Sequence, residues 1–321
     1  MPENNLPIIS IVMPLYNKEA EVMRSVNSVL KQAVPDWELI IVNDGSTDKG
    51  PDIVRAVKDK RIRIIEQNNQ GVSSARNKGI AEARAGLIAF LDADDEWAPD
   101  FLETILRLKD KFPDCAVCAT SYYITHGNDR KRNAILRGIK SSETDFRMTN
   151  YFEVAIQSDP PISSSSVAVS RKAILSVDGF PVGIRDGEDL LTWARLAIKY
   201  NIAYSTGSHA IFYSPVFVSD RPSRLPQCPD VVGEKLSRLR DTVTGQLIND
   251  LDHYISLWHR MRAIVYLQVG KMRDARNEIK VAIRHSGKSA RLLFLLLLTY
   301  MPYSLSILIF KTIKKIREDN R

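Results

Sequence analysis

Short apolar runs rich in β-branched residues alternate with helical patterns along the first hundred residues. Most of these runs are almost continuously apolar, as in strands that are buried on both faces of a sheet. They are residues 8–13, 37–42, 61–65 and 87–91. Apolar side chains recur at helical spacing in the segments 19–32 and 71–83. This alternation predicts an α/β fold with a parallel sheet that is covered by helices on both faces.

In such a sheet, ligands bind beyond the carboxyl ends of the strands. The fourth run leads into Phe90-Leu-Asp-Ala-Asp-Asp-Glu-Trp97, which carries carboxylates at positions 92, 94 and 95. Like charges at this spacing repel one another, and a bound divalent cation relieves that repulsion. Mg²⁺ and Mn²⁺ favour such oxygen ligands together with substrate phosphates. The alternative interpretation is a solvated acidic turn in which Asp95 caps the next helix.

Three further polar clusters belong to the same predicted edge. Val12-Met-Pro-Leu-Tyr-Asn17 follows the first strand, Val42-Asn-Asp-Gly-Ser-Thr-Asp48 follows the second, and Gln70-Gly-Val-Ser-Ser-Ala-Arg-Asn-Lys-Gly79 opens a helix. With these motifs in this order, the chain resembles a family 2 glycosyltransferase of the GT-A fold over roughly its first two thirds. The resemblance implies a Rossmann-like nucleotide-binding sheet and an inverting enzyme of bacterial type.

The resemblance implies that residues after the first two strands hold the nucleotide of the donor. Asp44 would accept a hydrogen bond from uracil. Pro14, Tyr16 and Glu19 would form the pocket for the base and the ribose. Simpler interpretations stay open, because Pro14 is equally explained as a turn residue and Tyr16 as a core residue.

The resemblance also assigns roles to one residue of the third helix and to two residues after the fourth strand. Arg76 would reach the nucleotide, Asp92 would hold the ribose, and Asp94 would coordinate the metal that bridges both phosphates. Departure of a nucleoside diphosphate builds negative charge on a phosphate oxygen, and a bound cation would stabilise that charge. The alternative for Arg76 is an ion pair with a surface carboxylate.

The segment Asp186-Gly-Glu-Asp-Leu-Leu-Thr-Trp-Ala-Arg195 resembles the acceptor-side motif of the same family. Asp189 would take the proton from the acceptor hydroxyl, and Glu188 would orient Asp189 or the acceptor. A single base and an in-line displacement imply inversion at the anomeric carbon. The alternative is an acidic first turn of an ordinary helix. Residues 163–166, all serine, either line the acceptor pocket or form a polar loop.

Basic residues are concentrated in the last third of the chain. Residues 221–321 contain 19 Lys and Arg against 9 Asp and Glu, whereas the rest contains 26 against 29. A near-neutral body with a basic end indicates an anionic partner such as a membrane surface or a nucleic acid. The basic segment lacks an aromatic stacking pattern, so a nucleic-acid partner is not expected.

A strongly apolar stretch, residues 292–310, lies within this basic region. Pro302 interrupts it, and basic residues flank both of its ends, which argues against a simple membrane span. The pattern favours a helical hairpin in an anionic interface, with Tyr300 and Tyr303 at headgroup level. The alternative is a pair of soluble helices that pack on the catalytic domain.

The chain is predicted to comprise a catalytic domain, residues 1–220, and a basic helical C-terminal extension, residues 221–321, joined at a proline-rich linker. The N-terminal residues do not resemble a signal peptide. Cys115 and Cys118 are expected to be buried strand thiols, which fits a reducing compartment. We therefore expect a cytoplasmic protein that is peripheral on the inner face of the cell membrane.

These features predict a transferase that moves a hexosyl or N-acetylhexosaminyl group from a nucleotide-diphosphate sugar, most simply a UDP-sugar. The acceptor would be a hydroxyl of a glycan or lipid-linked precursor in surface polysaccharide synthesis, and the cofactor Mn²⁺ or Mg²⁺. A nucleotidyltransferase would need a lysine-rich phosphate loop, whereas residues 15–19 carry one lysine and no glycine. A non-catalytic sugar-nucleotide-binding protein is the third alternative, disfavoured by the full set Asp44, Asp92, Asp94 and Asp189.

Overall fold

The structure, a computed structural model, describes residues 6–125, 131–139, 144–214 and 225–319, with side chains described as far as residue 313. The chain forms two compact units, Met1–Val216 and Phe217–Arg321. The boundary between them lies in 215–224, outside the described residues, as does the beginning of the proline-rich linker at 222–224. The roles predicted for the two parts of the chain remain predictions.

The first unit contains the sheet. Its strands are β1 (Ile9–Leu15), β2 (Trp37–Asp44), β3 (Ile62–Gln67), β4 (Leu87–Phe90), β5 (Glu96–Trp97), β6 (Val117–Thr125), β7 (Lys131–Asn133), β8 (Asp145–Met148), β9 (Val167–Ser170) and β10 (Ile202–Tyr213). Its helices are α1 (Val22–Leu30), α2 (Gly50–Arg55), α3 (Val72–Glu82), α4 (Phe101–Lys111), α5 (Tyr151–Gln157), α6 (Arg171–Leu175) and α7 (Glu188–Lys199).

The strand order is β3-β2-β1-β4-β9-β6-β10-β5, with β7 beside β6 and β8 beside β10. Neighbours from β3 to β4 are parallel, as the sequence predicts. The predicted parallel arrangement does not continue beyond β4, because β9 runs antiparallel to both β4 and β6. Three further strands also pair antiparallel with their neighbours, namely β5 and β8 with β10, and β7 with β6. An apolar run identifies a buried strand, but its composition does not show whether the strand runs parallel or antiparallel to its neighbours.

Two boundaries also differ from the sequence prediction. The apolar residues 209–217 predict a last strand there, whereas β10 begins at Ile202, because polar residues at a bulge between Ser205 and Ala210 interrupt the apolar pattern. The polar and basic composition of the segment 127–149 predicts a loop or excursion. Its described residues include the short strands β7 and β8, whereas 127–130 and 140–143 lie outside the described residues.

The core of the first unit lies along the central strands. Every residue of β1 and of β2 is buried, which explains why both read as continuous apolar runs. Helix α3 approaches β1 closely at Gly79, where an added Cβ would lie 2.3 Å from Cγ1 of Val12. Glycine is therefore needed at this position for packing. Cys115 and Cys118 are buried, as expected, and burial raises the pKa of the Cys118 thiol to about 12.

The second unit is helical. Its helices are α8 (Val231–Arg240), α9 (Gln246–Gln268), α10 (Met272–Ser286), α11 (Ala290–Leu298) and α12 (Tyr303–Asp319). One face of α11 packs into an apolar core of this unit, whereas Leu293 and Leu297 are 44% and 55% exposed. The apolar stretch is thus split between α11 and α12 near Pro302. Within the part of the chain that the structure describes, none of the helices is both long and apolar enough to cross a bilayer.

Candidate active site

Strands β1, β2 and β4 are parallel and end at one edge of the sheet, so the polar residues after them gather there. Hydrogen bonds join the loops after β1 and β2. The Thr47 N–H donates to Oδ1 of Asn17 at 2.8 Å, and the Lys49 N–H donates to Oε2 of Glu19 at 2.9 Å. Tyr16 is 47% exposed directly after β1, so it is not a core residue. These contacts give Glu19 an anchoring role that the sequence did not predict.

Asp44 is buried at the end of β2 and fixes the start of α3. Its carboxylate accepts hydrogen bonds from the N–H groups of Gln70 and Gly71, both at 2.8 Å. Nε2 of Gln67 donates to the same carboxylate at 2.7 Å. Gly71 adopts a φ of +88°, which favours glycine. Asp44 therefore fixes the segment from Gln67 to Gly71, and its predicted contact with the base remains a prediction.

Arg76 is buried and links two carboxylates from distant segments. Its guanidinium donates to Oδ1 of Asp92 at 2.7 Å and to Oε1 of Glu188 at 3.1 Å. Burial alone would lower the pKa of Arg76, but the charges of these two partners raise it above its usual value. Among the described residues, its Nε has no hydrogen-bond partner. The alternative of a surface ion pair is wrong, because the partners lie within the site.

Glu188 and Asp189 occupy the first turn of α7, after Gly187 with a φ of +85°. Burial and the neighbouring charge of Asp189 raise the pKa of Glu188 to about 7, although Arg76 opposes this shift. Burial also raises the pKa of Asp189, again against the effect of Arg76. Oδ1 of Asp189 accepts the N–H of Leu190 at 2.7 Å. A carboxylate with a raised pKa is suited to take a proton near neutral pH.

The three aspartates after β4 have different surroundings. Asp92 and Asp94 are partly exposed, and Nζ of Lys18 lies 2.6 Å from Oδ2 of Asp94. Burial alone would lower the pKa of Lys18, but the Asp94 carboxylate raises it above its usual value. Asp95 is buried, and burial together with the charges of Asp92 and Asp94 raises its pKa. The solvated-turn interpretation is therefore wrong for Asp95, and α4 begins after Asp100 instead.

The serine segment supports this acidic loop. Ser164–Ser166 form a buried 3₁₀ turn, in which Oγ of Ser165 accepts the N–H of Asp92 at 3.1 Å and donates to Asp95. Nε1 of Trp97 donates to the carbonyl of Ser165 at 2.6 Å. The polar-loop interpretation missed this bracing role. A run of four serines gave no signal of which partners they would meet.

The donor set of the loop fits a hard divalent cation. Asp92 and Asp94 offer carboxylate oxygens that are reachable from solvent, which is the ligand type that Mg²⁺ and Mn²⁺ favour. Lys18 already supplies one positive charge to Asp94, and a cation at this carboxylate would meet that ammonium group. The sequence analysis gave Lys18 no role, because its partner is distant in the chain.

A second group with metal-ligand chemistry lies in the helical unit. Ligand atoms of Asp230, His259 and Glu278 lie within 4.8 Å of one another, although histidine spacing in the sequence gave no such indication. Nε of Arg262 lies 2.9 Å from Oε1 of Glu278 and 3.4 Å from Oδ2 of Asp230. The guanidinium already pairs with both carboxylates. We interpret this group as a structural ion-pair network.

The fold and the clustered carboxylates are the features that the sequence analysis expects of a glycosyltransferase. The sequence profile of glycosyl transferase family 2 matches residues 10–174, about half of the chain. The chain belongs to this family. The matched segment includes every predicted donor-side residue and ends before Glu188 and Asp189.

Curated relatives agree with this assignment. The chain is 32% identical over 195 residues to an uncharacterised glycosyltransferase of Rickettsia felis, covering 60% of this chain and 31% of that protein. It is 32% identical over 201 residues to a Bacillus subtilis protein that carries the name teichuronic acid biosynthesis glycosyltransferase TuaG, covering 62% and 75%. The alignments span about a third of the first curated relatives that the chain matches.

Solved structures show the same fold. Residues 1–349 of Staphylococcus aureus TarS, in complex with UDP-GlcNAc, match with a TM-score of 0.68 and 18% identity, covering 98% of this chain and 92% of that one. The mannosyltransferase PcManGT of Pyrobaculum calidifontis, in complex with GDP-Man and Mn²⁺, gives a TM-score of 0.56 at 18% identity, covering 94% and 83%. The GT-A fold expected from the sequence is confirmed.

Proposed function

We propose that this protein is an inverting glycosyltransferase that moves a sugar from a nucleotide-diphosphate donor to an acceptor hydroxyl. The observation that supports this most strongly is the buried Arg76, which joins Asp92 of the predicted donor side to Glu188 of the predicted acceptor side. One guanidinium thus sets the distance between the two halves of the site. Such fixed positioning is what a transfer between two bound substrates requires.

On the acceptor side, Asp189 is the general base. Its raised pKa suits removal of the hydroxyl proton, and Arg76 stabilises the pair of carboxylates at the start of α7. Glu188 orients Asp189 or the acceptor, and its contact with Arg76 fixes its own position. The acceptor oxygen attacks the anomeric carbon from the face opposite the leaving diphosphate, which inverts its configuration.

On the donor side, we assign the nucleotide to the loops after β1 and β2. Pro14, Tyr16 and Glu19 form the pocket for the base and the ribose, and Asp44 accepts a hydrogen bond from uracil. Asp44 has capacity for this contact, because Oδ2 has one hydrogen bond in the structure and a carboxylate oxygen accepts two. The UDP-GlcNAc in the TarS complex supports a UDP-sugar and a hexosyl or N-acetylhexosaminyl group.

Asp94 is proposed to hold Mn²⁺ or Mg²⁺, and Asp92 to hold the ribose. When bound, the cation supplies positive charge that stabilises the departing diphosphate. The Mn²⁺ in the PcManGT complex supports this assignment. The name of TuaG supports a glycan or lipid-linked acceptor in surface polysaccharide synthesis.

Calorimetry of UDP binding tests the metal assignment. We expect UDP to bind at least about tenfold more weakly in EDTA than in Mn²⁺, because without the cation no divalent charge links the diphosphate to the carboxylate of Asp94. Asp94→Ala should remove the difference between the two conditions. Asp52→Ala is the matched control, because Asp52 is an exposed aspartate paired with Arg55 on α2. Equal UDP affinity of the wild-type protein with and without EDTA would contradict the assignment.

The second unit is proposed to hold the enzyme on the inner face of the cell membrane, facing the cytoplasm. Leucines exposed on α11 and α12, such as Leu293, Leu297 and Leu308, support this. Basic residues at 288, 291 and 311 flank these leucines in the sequence. Exposed leucines beside cationic side chains suit a surface of anionic lipid.

A further inference from the structure

The ion pair between Lys18 and Asp94 lies where the proposed site needs a cation. Lys18 follows β1, and its Nζ lies 2.6 Å from Oδ2 of Asp94, which follows β4. Both side chains are about one third exposed, at 37% and 32%. The charges of Asp92 and Glu21 also act on this ammonium group. Lys18 is the cation that the structure places on the proposed metal ligand.

We propose that Lys18 competes with the divalent cation for Asp94 in the donor-free enzyme, and binds the donor diphosphate once the cation displaces it. The proposal rests on the proposed donor and metal sites and assigns a further residue to them. A lysine ammonium is a compact charge on a flexible stem, so it is able to change partners. Asp94 offers one negative charge, and a divalent cation at its carboxylate repels the nearby ammonium group.

The position of Lys18 in the chain indicates which group it binds after it leaves Asp94. It lies between Tyr16 and Glu19, the residues proposed to hold the nucleoside, yet its Nζ reaches the proposed metal ligand. The diphosphate joins the nucleoside to the metal and therefore passes between these points. An ammonium group released from Asp94 meets phosphate oxygens there, and lysine is a common phosphate ligand.

An ordinary ion pair predicts something different. Exposed pairs contribute about 0–1 kcal/mol to stability, and removing one leaves ligand affinities unchanged unless the ligand uses the same groups. Competition followed by release predicts two effects of opposite sign from one substitution. Loss of the lysine should strengthen binding of the cation alone and weaken binding of the nucleotide in the presence of the cation.

The test uses the full chain and its Lys18→Met variant. Titration with Mn²⁺ alone, followed by the electron paramagnetic resonance signal of the free ion, should give about threefold to tenfold tighter binding for the variant. With Mn²⁺ at saturation, calorimetry should show about fivefold or weaker binding of UDP to the same variant. A distorted site would weaken both ligands, so the opposite signs exclude simple damage.

Two controls locate the effect. Lys78→Met removes a lysine of similar exposure that pairs with Glu82 at 3.5 Å on α3, and it should change neither affinity. Asp94→Asn, alone and combined with Lys18→Met, should bring Mn²⁺ affinity to one common low value, because both variants lack the contested carboxylate.

The outcomes separate this proposal from the proposed function. Equal Mn²⁺ affinity in wild type and Lys18→Met, with measurable binding in both, would overturn the competition while leaving the metal site in place. Unchanged UDP affinity in Lys18→Met at saturating Mn²⁺ would overturn the role in diphosphate binding. If Mn²⁺ binds neither protein, the proposed metal site itself is wrong, and the competition is overturned with it.

Discussion

At the scale of single residues, burial raises the pKa values of the carboxylates at the start of α7, and Arg76 limits this rise. A buried guanidinium needs compensating charge, and Arg76 receives it from Asp92 and Glu188. Since the positive charge is shared, neither carboxylate is fully neutralised by it. Burial then keeps the pKa values of Glu188 and Asp189 above the usual range.

Substitution of the proposed base tests the chemistry. Asp189→Asn should reduce transfer by at least tenfold while leaving UDP affinity nearly unchanged, because an amide cannot take the acceptor proton. Steady-state assays of sugar transfer and calorimetry of UDP measure the two properties separately. Retention of more than about a tenth of wild-type turnover would show that Asp189 is not the base.

The pH profile of the wild-type protein checks the same assignment. A base whose pKa is raised is protonated, and therefore inactive, over more of the acidic range than an ordinary aspartate. Transfer should therefore increase as the pH rises through the raised pKa of Asp189, because burial makes the ionised base harder to form. A rate that stays constant down to about pH 5 would indicate a base with an ordinary carboxylate pKa.

The candidate site could be predicted from the sequence only in part. The positions of Asp44, Asp92, Asp94 and Asp189 followed from motifs that lie after strands or at a helix start. The contacts of Lys18 and Ser165 could not be predicted, because their partners lie about seventy or more residues away and no motif links them. Arg76 is predicted as a site residue by its motif, but its two partners depend on how α7 meets the sheet.

At the scale of elements, the packing of α3 on β1 positions Arg76. Gly79→Ala should lower the free energy of unfolding by about 1–2 kcal/mol, because the overpacking cost exceeds the gain in helix propensity. Urea denaturation measures this change. In the double variant with Val12→Ala, the loss should be smaller than the sum of the two single losses, since the shortened side chain makes room.

Gly86→Ala is the control for this prediction. An added Cβ at Gly86 would meet no atom within 4 Å, so this substitution should be nearly neutral. Additive losses for the Gly79 and Val12 substitutions would show that the close approach does not limit packing. The outcome bears on function, because Arg76 lies on the same helix, one turn before Gly79.

The elements themselves were predictable where one physical signal dominates. β1, β2 and β4 are short, buried and apolar, and all three lie close to the predicted positions. The direction of β9 was not predictable, because direction depends on the path of the connecting segments. β8 was missed because its exposed Arg147 and its neighbours resemble a polar loop, and only pairing with β10 makes it a strand.

At the scale of the whole molecule, the exposed leucines of the second unit test its proposed membrane role. The full chain should sediment with anionic vesicles at low salt. The variant Leu293→Gln/Leu297→Gln should sediment less, because it loses apolar burial while its basic residues remain. Added salt should weaken but not abolish binding of the wild-type chain, because screening acts only on the electrostatic part.

Substitution is a sharper test than truncation before α11. Leu292, Leu295 and Leu298 belong to the core of the second unit, so a truncated chain would lose part of its own fold. Leu175→Gln, at a similarly exposed leucine of the first unit, is the matched control and should sediment like wild type. A wild-type chain that stays in the supernatant with anionic vesicles would contradict the membrane role.

The shared guanidinium of Arg76 also limits how this enzyme can be redesigned. The family profile ends at residue 174, so a designer would be inclined to keep that half and graft the following segment from an enzyme with another acceptor. Arg76 lies in the retained half, but one of its two partners, Glu188, would arrive with the graft. A chimaera that lacks this carboxylate would bury an undercompensated charge at the junction. The acceptor half can therefore be exchanged only if the grafted segment also carries a carboxylate at position 188, which compensates the charge of Arg76 in the donor half.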